Sequence, residues 1–194
     1  MSALSETSRT LSPEEYLAGE ALAEVRHEFV GGRVYAMAGA SEDHNRITGN
    51  LFASLWTHLD GHPCEVFATD LKARPGSQVF YYPDVMVCCD PTDTGRPYRE
   101  RPRYVFEVIS PDTRSTDERE KSVSYFHMPS VEAYVLIEQH ERKVRLWRRG
   151  ENWWDETVLT APDDELQLPD LGFALRLDRL YARTAAQTSG ADQV

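Results

Sequence analysis

Two segments decide the fold: Tyr82-Pro83-Asp84-Val85-Met86-Val87-Cys88-Cys89 and, after a polar loop, Arg103-Tyr104-Val105-Phe106-Glu107-Val108-Ile109-Ser110. Both are apolar, rich in β-branched residues and of strand length, so both read as buried strands. Each carries one carboxylate, Asp84 and Glu107. An ionised carboxylate is costly to bury alone, so such groups pair with a cation or hold a metal. Consecutive elements usually pack side by side, which places the two acids on neighbouring strands. Pro83 at the head of its strand costs no interior ladder bond.

Outward from this pair, local signals are plain. Downstream, Ser115 with Glu118 makes a capping box for a helix of about 115–127, on which Asp117 and Lys121 are four apart and share a face. Glu132–Glu138 and Val144–Arg149 read as a hairpin, Trp153–Leu159 as a last strand and Leu175–Arg183 as a terminal helix. Upstream, Ser12-Pro13-Glu14-Glu15 is a helix start, running to about Leu22. Gly31-Gly32 separates two strand-like runs, a strong hairpin signal. Ile47, Leu51, Leu55 and Leu59 recur every four residues behind a Ser41 cap, which predicts an amphipathic helix over about 42–60. Cys64–Ala73 reads as one strand, and a turn at Pro75-Gly76-Ser77 leads to the Asp84 strand. Helices alternate with strands but hairpins are frequent. The expected fold class is therefore α/β, a mixed β-sheet flanked by helices. The expected domain spans 11–185, with 1–10 and 186–194 as flexible tails.

The totals bound the partners. At 194 residues and 41% hydrophobic content the chain suits one soluble domain. Its net charge of −11 counts against a bulk electrostatic grip on nucleic acid, though not against a local basic groove. Arg96, Arg99, Arg101 and Arg103 on one loop, and Arg142, Lys143, Arg145, Arg148 and Arg149 on one hairpin, are either a phosphate-contacting rim or charged edges that discourage strand pairing. Cys64, Cys88 and Cys89 have no metal-binding spacing and read as reduced, buried thiols of a cytoplasmic protein. No apolar run has membrane-spanning length, and residues 1–10 lack a secretory signal's apolar core.

Two acids on neighbouring strands and a lysine on the next helix suit metal-assisted phosphodiester hydrolysis. Mg²⁺ takes one or two carboxylates and completes its shell with water and phosphate oxygens. In order and spacing, Tyr82-Pro83-Asp84-Val85, Glu107-Val108-Ile109-Ser110-Pro111, Thr113, Asp117, Lys121, Tyr125 and Val131-Glu132-Ala133-Tyr134 resemble the Uma2 family (DUF820) of restriction-endonuclease-like proteins, a branch of the PD-(D/E)xK nuclease superfamily. The likeness extends through Glu28-Phe29-Val30-Gly31-Gly32, Ser41 and His44, and covers roughly residues 12–180. It departs from the superfamily pattern at Ile109, where the standard motif has lysine; Lys121 on the following helix is the matching residue.

The resemblance implies a DNA endonuclease dependent on Mg²⁺ or Mn²⁺, with Asp84 and Glu107 as metal ligands, the Val108 carbonyl as a further ligand, and Lys121 as catalytic lysine. A homodimer follows if both strands of a duplex are cut. His44, Asp70, Glu28 and Asp117 are supporting candidates. Each residue also admits a plainer role. Asp84 suits a strand-start turn, and Glu107 an ion pair with Arg103 or Arg33. Lys121 suits an exposed pair with Asp117. His44 suits a helix first turn, Asp70 the surface and Glu28 the hairpin edge. A non-catalytic binding module and a hydrolase of smaller phosphate diesters are the alternative functions.

Overall fold

The computed structural model describes residues 10–37, 39–109 and 116–188. The chain opens with α1 (Pro13–Glu20), and the capping box between Ser12 and Glu15 is formed. The hairpin β1 (His27–Val30) and β2 (Arg33–Ala36) turns through Gly31 and Gly32, at φ of 57° and 87°. Only glycine adopts that conformation without steric cost. Next come α2 (Glu42–His58), β3 (Glu65–Ala68), β4 (Lys72–Gly76), β5 (Val79–Tyr81), β6 (Val85–Cys88), β7 (Tyr98–Arg99) and β8 (Pro102–Ile109). A π-helical turn (Thr116–Lys121) runs into α3 (Ser122–Phe126). The chain continues with β9 (Ala133–Glu138), β10 (Val144–Arg149), β11 (Trp154–Leu159), β12 (Glu165–Leu168), β13 (Phe173–Arg176), α4 (Leu177–Leu180) and α5 (Ala185–Thr188).

The main sheet has six strands in the order β11-β10-β9-β8-β6-β3. Only its β8–β9 pair is parallel, so the sheet is mixed, as expected. A second sheet runs β2-β1-β5-β4-β7, and β12-β13 form a separate hairpin. Alternation along β8 sends Tyr104, Phe106 and Val108 to one core, shared with Leu51 and Leu55 of α2 and Leu177 of α4. Val105 and Ile109 go to a second core, shared with Tyr81 of the smaller sheet, Tyr125 of α3 and Tyr134 of β9. Glu107 has the parity of this second set and is buried. A third cluster, Tyr16, Phe29 and Phe80, seats α1 on the smaller sheet.

Three expectations are corrected. The strand read over Cys64–Ala73 is two strands in different sheets. The chain breaks at Thr69, whose φ is 52°, a left-handed value rare for a β-branched residue. The Thr69 N–H donates to the Asp84 carbonyl at 3.1 Å, so the crossover between sheets is fastened beside Asp84. The terminal helix read over Leu175–Arg183 is mostly absent. Leu166 and Leu168 pair with Leu175 and Phe173 in the β12–β13 hairpin, and only Leu177–Leu180 is helical. Past α4, Ala186 is buried in the α2 core and the Ala185 N–H donates to Asp43.

The third correction concerns the thiols. Cys64 and Cys89 form a disulfide rather than two reduced thiols. Glu65 opposes Cys88 across β3 and β6, and one more step of that register sets Cys64 against Cys89. This bond removes the ground on which a cytoplasmic location rested. Cys88 remains free and buried, and burial pushes its thiol up to about 12. A thiol reagent at pH 8 is therefore expected to find almost no reactive cysteine in the folded oxidised protein and one after denaturation. Three on denaturation without reductant would show that the bond does not form. Among the described residues no helix is long and apolar enough to cross a membrane.

Candidate active site

Asp84 lies one residue ahead of β6. Val85 opposes Phe106 in the β6–β8 pair, and one more step of the register sets Asp84 against Glu107. The Val108 N–H donates to Asp84 Oδ2 at 2.7 Å, and His44 Nε2 lies 3.2 Å from the same oxygen. Asp84 Oδ1 has no hydrogen-bond partner among the described residues. The His44 contact is built locally. Ser41 caps α2, with its Oγ accepting from the His44 N–H at 3.1 Å. This fixes His44 in the first turn, while Ile47, Leu51 and Leu55 anchor the helix in the core.

Lys121 completes the group from the opposite side. Its Nζ is 2.8 Å from Glu28 Oε1 and 3.4 Å from Glu107 Oε1, and stands 5.5 Å over the Tyr81 ring. Its side chain is only 7% exposed and that of Glu107 only 4%. The exposed-pair reading of Lys121 therefore fails, and Glu107 has a lysine as an ion-pair partner. Lys121 is aimed by the end of a π-helical turn, not by the regular helix expected. Such insertions change the direction of the side chains that follow and recur at functional sites. Of the two acids paired with the lysine here, Glu28 is the nearer. The Tyr82 N–H also donates to its Oε1, at 3.3 Å. Beneath it, Lys72 Nζ donates to the Tyr82 hydroxyl at 3.1 Å, which donates to Glu20 Oε1 at 2.9 Å. Burial pulls the Lys72 pKa down, Glu20 opposes that fall and Arg26 adds to it.

The structure thus gathers Glu28, His44, Asp84, Glu107, the Val108 backbone and Lys121. It does not gather Asp70, whose side chain is 73% exposed and paired with Arg26 at 3.3 Å. The side chain of Asp117 and the Ser115 cap lie outside the described residues. Tyr81, which floors the lysine, was not singled out from sequence. Its only signal was its place beside Tyr82-Pro83-Asp84, and its role depends on a sheet pairing.

The basic rim is partly neutralised and largely engaged within the protein. Arg96 pairs with Asp93 and Glu100, Arg101 with Asp90, Arg103 with Asp170 and Arg145 with Glu156. Arg142, Arg148 and Arg149 donate to the backbone carbonyls of Gln187, Gln167, and Val131 and Met128. These side chains hold loops and strands together; the four paired with carboxylates are neutralised, and the three on carbonyls keep their charge but have part of their donor capacity engaged.

Comparison with known sequences identifies the family. The Uma2 family, described as "putative restriction endonuclease", matches residues 13–178, a span holding every residue just gathered. The chain belongs to the Uma2 family. It is 34% identical over 174 residues to the uncharacterized protein slr1290 of Synechocystis sp., covering 88% of this chain and 91% of that one. It is 31% identical over 166 residues to sll1609 of the same organism, covering 83% and 94%. The crystal structure of "a putative nuclease belonging to DUF820" from Anabaena variabilis superposes with a TM-score of 0.73 over 89% of this chain and 98% of that one. At 16% identity this likeness shows the shared Uma2 fold.

Proposed function

We propose that this Uma2 protein is a DNA endonuclease that uses Mg²⁺ or Mn²⁺ held by Asp84 and Glu107. The observation that carries the reading is the buried Lys121, ion-paired with Glu107 and Glu28 beside Asp84, whose Oδ1 has no partner among the described residues. Among the described residues no three His, Cys, Asp or Glu side chains are grouped to hold a metal by themselves. That suits Mg²⁺, whose shell is commonly finished by water and substrate phosphate. By family resemblance the Val108 carbonyl is a further ligand. Bound there, the cation supplies Lewis-acid stabilisation and a more acidic water.

The chain's own groups do the rest. The Val108 N–H and His44 orient the Asp84 carboxylate, as outer hydrogen bonds do for ligating groups. Glu28 holds Lys121 in place. The Lys121 ammonium then orients the attacking water and steadies charge developing on the phosphate, where a preorganised charge in a dry site acts strongly. Cutting both strands of a duplex requires two such sites, and so a homodimer; cutting one strand does not.

The test is calorimetric titration of Mg²⁺ and Mn²⁺ into the wild type and Asp84→Ala, alone and with a DNA oligonucleotide present to complete the shell. Binding in the wild type that disappears in the variant is the expected result. Equal binding by both would remove Asp84 from the site, and no binding in any titration would favour a nuclease-fold module that does not cut. The internally engaged arginines favour a second reading, hydrolysis of smaller phosphate diesters. Turnover of a chromogenic diester with intact DNA would select it.

A further inference from the structure

Eight of the nine tyrosines are buried; the exception is Tyr35 on β2, 51% exposed. It makes no ring contact or side-chain hydrogen bond among the described residues. Its position is informative. Tyr35 opposes Glu28 in the β1–β2 register, and directly opposed residues share a face with Cβ atoms about 5 Å apart. On the other side of β1, Phe29 opposes Phe80, so one more step sets Glu28 against Tyr81. The row Tyr35, Glu28, Tyr81 therefore runs along the face that carries Lys121, and ends at a sheet edge with an open aromatic ring.

Charge complements this ring. Arg33 lies two residues from Tyr35 on the same strand face, is exposed, and has no ion pair among the described residues. Arg119, two residues before Lys121, is likewise exposed and without one. These cations contrast with the arginines of the loop and hairpin, which are spent on internal partners. A duplex-binding surface commonly makes roughly 6–10 phosphate contacts. A chain of net charge −11, with few uncommitted cations by the cleft among the described residues, is poorly suited to such a surface. An aromatic platform flanked by one or two cations is instead how proteins hold single strands, because every base has a face to stack.

We propose that the DNA enters as a single strand, with Tyr35 as the platform on which a base next to the scissile phosphate stacks and Arg33 contacting the neighbouring phosphate. This rests on the DNA reading above and names the form of DNA. The experiment is fluorescence anisotropy of a short labelled single-stranded oligonucleotide, and of its duplex, with Ca²⁺ in place of Mg²⁺. The proteins are the wild type, Tyr35→Ala, Tyr35→Trp and Arg33→Gln, each checked for an unchanged melting temperature. The wild type is expected to bind the single strand more tightly than the duplex. Tyr35→Ala should weaken single-strand binding by about 10-fold, and Tyr35→Trp should restore it. Arg33→Gln should weaken it and reduce its salt dependence. Tighter duplex binding, no single-strand binding, or an unchanged Kd in Tyr35→Ala overturns the proposal. Binding needs no hydrolysis, so the two readings fail separately. Tyr35-dependent binding without cleavage would leave this inference standing and remove the catalytic one. Duplex cleavage at full rate by Tyr35→Ala would do the reverse.

Discussion

Replacing Lys121 by Met is expected to lower DNA hydrolysis by at least about 100-fold, the scale of a positioned catalytic group. It should also lower the melting temperature of the metal-free protein by about 10 °C. The second effect follows from burial. Lys121 is the cation between Glu28 and Glu107, and all three side chains are largely shielded from water. Removing one member of a buried ion pair leaves an uncompensated charge and costs roughly 3–5 kcal/mol. In a domain of this size each kcal/mol moves the midpoint by roughly 2–4 °C. Rates must therefore be compared well below the midpoint of the variant. Lys121→Arg separates the two roles, because it keeps the charge but replaces a compact ammonium with a planar fork. It should recover more stability than rate. A folded Lys121→Met protein that cuts at the wild-type rate would take the lysine out of the mechanism.

Glu107→Gln is expected to give a similar loss of rate, at least about 100-fold, with a much smaller loss of stability. The amide fills the same volume, and Lys121 keeps its shorter contact with Glu28 at 2.8 Å. What disappears is the negative charge opposite Asp84. Mg²⁺ and Mn²⁺ affinity should fall together with the rate, since the proposed role of Glu107 is to hold the cation. A variant that loses activity and keeps full metal affinity would assign Glu107 to orienting the lysine only. A variant that keeps its rate would remove it from the site. Steady-state hydrolysis, calorimetry and a thermal melt on one preparation separate these outcomes.

Much of this was legible locally. The Ser12–Glu15 box, the Gly31-Gly32 turn and the Ser41-capped helix depend on residues within a few positions of one another, and all three form. The β6 and β8 runs stood out because Asp84 and Glu107 interrupt apolar stretches, and the two strands do pair. The β12–β13 hairpin was missed although Leu166 and Leu168 alternate in the sequence. Its strands are only four residues each and gain their burial from α2 and α4, far away in the chain. The arginine clusters stayed open between two readings for a related reason. A run of basic residues shows its charge in the sequence, but not the carboxylates that neutralise it, such as Asp170 for Arg103.

By itself the sequence determined the element types near the site, the mixed α/β class, the Uma2 likeness and the identity of the chemically unusual residues. Hydrophobic period, capping chemistry and the cost of burying a lone carboxylate are all written in local order. Only the tertiary structure decided which of those residues meet. Thr69 turns the chain from one sheet to the other and Lys121 lies at the end of a π-helical turn. Glu28 reaches the lysine from a different sheet, and Cys64 meets Cys89 across a strand pair. Each of these contacts is set by sheet register and crossover between distant segments. Their geometry emerges only when segments far apart in the chain are brought together.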